Sequence, residues 1–130
     1  MPDPRSNSAV ILFAHGARDP RWAEPFHRVA AAVRAAAPEL PVELAFLELM
    51  APDLATAARS LAGAGATRIR IVPLFFGQGA HLRNDVPAMV ADIAASMPGI
   101  TLDLAPAAGD DEGVVQALAA FCRRQANLFT

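Results

Sequence analysis

Three short apolar runs in this 130-residue chain end in the same way, each giving out onto a polar residue that a strand end does not need. AVILFAHGARDP gives out at His15, VELAFLELMAPD carries Glu48 near its end, and RIRIVPLFFGQGAHLRND reaches His81 just past a glycine turn. Continuous apolar runs of this length read as strands covered on both faces. Glu48 follows His15 by 33 positions and His81 follows Glu48 by 33, about the length of one strand–helix–strand step. Equal steps set the three groups at the carboxyl ends of successive parallel strands, the edge where open α/β sheets bind ligands.

The segments between the runs carry helical periodicity. Residues 20–37 place Trp22, Phe26, Val29 and Val33 on one face, with Pro25 confined to a first turn. Strand two spans 42–47, and Pro52 opens a helix whose buried stripe is Leu54, Ala57, Ala58 and Leu61, ended by Gly63 or Gly65. Strand three spans 67–73, where Arg68 and Arg70 alternate with Ile69 and Ile71, so one side is at an edge or salt-bridged. Helix three begins with Asn84 or Asp85 as cap and Pro87 in its first turn, and buries Val86, Met89, Val90, Ile93 and Met97. Strand four spans 100–104, APAAGDDEG is a flexible loop, and helix four spans about 111–125. The expected fold is α/β: one three-layer domain, residues 9–126, with a four-stranded, mainly parallel sheet and helices on both faces. Residues 1–8 are expected to form a flexible N-terminal arm.

Composition narrows the function. The chain is 54% hydrophobic and 18% charged, with a net charge of −2 and no basic block, which argues against a nucleic-acid partner. No apolar stretch approaches the ~18 residues of a membrane span. MPDPRSNS lacks a signal-peptide layout, so a cytoplasmic location is expected. The single Cys122 excludes an intrachain disulfide and a four-cysteine cluster, and its phase with Val114, Leu118 and Phe121 reads as burial.

Two histidines and a carboxylate at one sheet edge suit a divalent metal such as iron, cobalt, nickel or zinc. Glu48, inside an apolar run, is costly to bury unless bound to metal or paired with Arg18 or Arg83. Asp19 and Asp85 read as helix caps, and His27 as a surface histidine. Arg18, Arg21 and Arg83 gather around the same loops and suit a ligand rich in carboxylates. GQGAHL has Leu82 where a dinucleotide fingerprint has its third glycine, no P-loop, GxSxG or HExxH occurs, and lysine is absent. No nucleotide is expected.

HGARDP after strand one, FLELMAPDL after strand two and VPLFFGQGAHLRNDVP after strand three resemble the small CbiX-type sirohydrochlorin chelatases of the class II chelatase family, over about residues 9–125. The resemblance implies insertion of divalent cobalt, iron or nickel into sirohydrochlorin, on routes to cobalamin, sirohaem or the nickel cofactor of methanogenesis, by a homodimer and without a nucleotide. It makes His15 and His81 the metal-binding, proton-accepting residues and sets Glu48 in the same cavity. Ala17 stands for the family's serine, Ala80 for a glycine, and Arg83-Asn84 for a Lys-Glu pair. Arg18 and Arg83 as anchors for substrate carboxylates are an inference from their charge, not a match to the family motif. The rival expectations are a metal- or tetrapyrrole-binding carrier without turnover, and an interaction domain with remnant loops.

Overall fold

The computed structural model describes residues 7–127, the side chain of His81 excepted. Strands β1 (Ser8–Ala14), β2 (Val42–Phe46), β3 (Arg68–Pro73) and β4 (Thr101–Leu104) alternate with helices α1 (Glu24–Ala36), α2 (Leu54–Gly63), α3 (Ala80–Ala95) and α4 (Glu112–Ala126). The sheet order is β2-β1-β3-β4, all neighbours parallel. The sheet and its alternating helices are as expected. Ser8 already belongs to β1; residues 1–6 of the expected arm lie outside the described residues.

Alternation sorts each strand into two faces. Ala9, Ile11 and Phe13 of β1 join Ala45, Ile69 and Ile71 under α2 and α3. Leu12, Ala14, Val42, Leu44 and Phe46 face α1, where Ala30 packs with half-buried Phe26 and Val33. Val29 is 43% exposed, off the stripe it was expected to join. The α1 side of β3 and β4 is polar: Arg70 pairs with Asp103 at 3.4 Å, and Arg68 and Thr101 are exposed. β3 is thus an interior strand whose arginines are kept at an uncovered face.

Two helix starts differ from expectation. Asp53, not Pro52, opens α2, its carboxylate accepting the N–H of Thr56 at 2.8 Å. α3 begins behind Gly79 without a side-chain cap, so Pro87 lies inside the helix and neither Asn84 nor Asp85 caps it. The loop after β4 is an ordered 3₁₀ turn, Ala108–Asp110, rather than a flexible segment. Cys122 is exposed, because no residue of α4 is buried. Among the described residues no helix is long and apolar enough to cross a membrane.

Candidate functional site

Pairing between β1 and β2 continues past the strand ends. The N–H of Leu47 donates to the carbonyl of Ala14 at 2.9 Å and that of Glu48 to the carbonyl of His15 at 3.1 Å. These two bonds fix His15 and Glu48 side by side above the carboxyl edge. Nε2 of His15 lies 3.3 Å from Oε1 of Glu48, and the side chains are 47% and 55% exposed. Glu48 is therefore not the buried carboxylate its apolar run suggested, and its partner is a histidine rather than Arg18 or Arg83. Residues 47–52 leave and return to one point, where the Phe46 N–H donates to the Pro52 carbonyl at 2.9 Å. That excursion puts Leu49 at φ 68° and lifts Glu48 out of the sheet.

Two further contacts support the pair. The His15 ring meets Phe75 edge-on at 6.0 Å between centroids, and Phe75 lies 5.6 Å from Phe13 in the core. Gly16 has φ +99° and sits against Glu48, so that only a glycine passes there. Phe75 is held in turn: its carbonyl accepts the N–H of Gly109 at 2.9 Å, and a β-carbon at Gly109 would lie 1.7 Å from the Phe76 carbonyl oxygen. Neither Gly109 nor Phe75 was read as part of the site. The glycine in APAAGDDEG was the available signal, but a Gly-rich polar stretch looks the same whether it is loose or packed.

His81 is the second residue of α3, just past the turn that follows β3. Among the described side chains no three potential metal ligands converge; His15 and Glu48 are the two that meet. Arg18 is exposed in the His15 loop. Arg83 is exposed on the first turn of α3 and lines a cleft of about 210 Å³ on the β4 side, with Gln78 and Asp110. Arg21 is occupied by Asp19 at 2.8 Å, and this bond holds the Asp19 carboxyl below its ordinary value. A second cleft, about 560 Å³, opens between α2 and α3 beside Leu47. Asp53, Asp85 and Asp92 line it, which disfavours a polyanion there.

A half-exposed imidazole next to a half-exposed carboxylate can hold a cation with open coordination positions and can accept protons. Residues 9–125 match the CbiX family model. The chain belongs to the CbiX family. It is 31% identical to a sirohydrochlorin cobaltochelatase of Sulfurisphaera tokodaii over 109 residues, 84% of this chain and 86% of that one. It is 34% identical to a sirohydrochlorin ferrochelatase of Bacillus subtilis over 76 residues, 58% of this chain but 29% of that protein. The fold superposes on a cobalamin biosynthesis CbiX protein of Marinobacter aquaeolei with a TM-score of 0.83 and 32% identity, covering 92% of this chain and 98% of the other. The chain thus spans nearly all of some CbiX relatives and under a third of the longer ferrochelatase.

Proposed function

We propose that this CbiX-family chain is a sirohydrochlorin chelatase that inserts divalent cobalt, iron or nickel without a nucleotide, working as a cytoplasmic homodimer. The observation that carries the reading is the His15–Glu48 pair, 3.3 Å apart at the exposed carboxyl edge of the sheet. Relatives named as cobalto- and ferrochelatases support the reaction class.

Metal insertion exchanges one divalent cation for two pyrrole N–H protons. The incoming metal must shed water, and both protons need acceptors. In this reading His15 and Glu48 hold the metal with positions open to the macrocycle, as a closed site would not release it. His81 supplies the third donor. As the metal leaves, the freed imidazole and carboxylate take up the protons. Phe75 fixes the His15 ring, so the acceptor nitrogen meets the substrate in one orientation. Arg18, exposed beside His15, and Arg83, at the start of α3, hold substrate carboxylates by paired N–H contacts.

The test is an anaerobic absorbance time course of sirohydrochlorin with cobalt, iron or nickel, with and without protein. A faster spectral shift, lost in His15→Ala and His81→Ala, is the expected result. A rate equal to the protein-free control with all three metals sinks the reading. Bound tetrapyrrole without acceleration would instead identify a carrier.

A further inference from the structure

The last helix has no place on its own sheet. None of the fifteen residues of α4 is buried, and Leu118 and Phe121 are 42% and 50% exposed. The position a crossover helix would take, beside α1 over β3 and β4, carries Arg68, Arg70, Thr101 and Asp103. That surface is too polar to receive an apolar stripe. Yet α4 has such a stripe: at 100° per residue Val114, Val115, Leu118, Phe121 and Cys122 share one face. Val114 and Val115 are half-buried, but a fifteen-residue helix with Leu118, Phe121 and Cys122 in water is marginal by itself.

The charge pattern identifies what covers it. Asp110, Asp111 and Glu112 stand at the amino end, and Arg123 and Arg124 at the carboxyl end. We propose that α4 pairs with α4 of a second copy of this chain, antiparallel and centred on Leu118. In that register Leu118 meets Leu118 of the second copy on a two-fold axis. Val114 then faces Phe121, Val115 faces Cys122, and Glu112 lies beside Arg123, each of the second copy. Every contact off the axis occurs twice, as a self-complementary interface requires. A parallel pair would stack like charges. Phe76, 64% exposed, is a second large apolar side chain in water, and its carbonyl packs on Gly109 in the turn that precedes α4. One helix pair is a small interface, so the dimer should dissociate on dilution.

This proposal rests on the homodimer reading above and says which surface makes it. Mass in solution is followed by sedimentation over a dilution series, with helix content checked by circular dichroism. Because Leu118 is exposed, Leu118→Glu should leave the fold intact and weaken the dimer about 30-fold or more. Arg123→Glu should weaken it, and adding Glu112→Arg should restore it. In a Cys122→Ala background, Leu118→Cys should cross-link between copies on mild oxidation, while Ala117→Cys, off the axis, should not. A wild-type dimer that Leu118→Glu leaves intact overturns this interface and leaves the homodimer reading standing. A wild-type monomer at every concentration overturns both. Metal insertion measured on the same samples reports on the chelatase reading separately.

Discussion

Gly16 approaches the backbone of Glu48 so closely that a β-carbon on it would lie 1.8 Å from the Glu48 carbonyl oxygen. The contact locks the loop after β1 against the loop after β2, and so sets the spacing of the His15 and Glu48 side chains. Gly16→Ala must move one loop, and it must also carry a side chain at φ +99°. Strain and overpacking together should cost about 2–4 kcal/mol, read from the midpoint of a urea titration. Metal insertion should fall even at temperatures where the variant is fully folded.

His15 and Glu48 should not be equivalent. On the proposed mechanism His15→Ala removes both a donor to the metal and a proton acceptor, and should slow insertion by about 10²–10⁴-fold. Glu48→Gln keeps the shape and a hydrogen-bonding oxygen but loses the charge that favours a divalent ion and the second acceptor. It should cost about 10–100-fold, mainly as weaker metal affinity. Rates over a cobalt titration separate the two effects. Equal losses in both variants at saturating metal would contradict the division of roles.

β1 and most of β2 were legible because they are covered on both sides, which leaves near-continuous apolar runs, and β3 because its isoleucines alternate with arginines at an uncovered face. The equal 33-residue steps gave the edge at which His15 and Glu48 meet. Helix starts were less legible. Gly79 caps α3 with backbone alone, so it leaves no side-chain signal, and Pro87 drew the expected cap to Asn84 or Asp85, past the true start of the helix. Pro87 has no N–H for the Arg83 carbonyl, a loss the remaining turns tolerate. The stripe of α4 is visible in the sequence, but periodicity reports a face and not its partner, so the phase of Cys122 does not make it buried. The support under the site was hidden for a different reason. Phe75 and Gly109 meet across the long connection that includes α3, and nothing local tells that either one packs on the other.

Asp53 ties the β2 loop to α2 through hydrogen bonds from Thr56, side chain first and backbone N–H second, which hold its carboxyl below the ordinary aspartate value. A depressed folded-state value means the stabilisation is present above the unfolded value, and is lost as pH falls through the folded one. Asp53→Ala should therefore destabilise by about 1 kcal/mol at neutral pH. The gap between variant and wild type should close as pH drops below about 4. Thermal unfolding of both proteins at several pH values checks this, and a gap that widens in acid would contradict the cap.

Phe75 joins the core to the chemistry, since one ring touches both Phe13 and His15. Only 5% of it is exposed, so Phe75→Ala would leave a large cavity and should cost about 3–5 kcal/mol. That variant would confound stability with activity. Phe75→Leu is the sharper change: it fills most of the volume and removes both aromatic contacts, for about 1–2 kcal/mol. With the fold kept, His15 loses the edge contact that orients its ring and gains rotamers that point away from Glu48. Insertion should slow several-fold at saturating cobalt and sirohydrochlorin, while tetrapyrrole binding, followed by absorbance without metal, stays within about twofold. An unchanged maximal rate would mean that the β1–β2 backbone contacts alone orient His15.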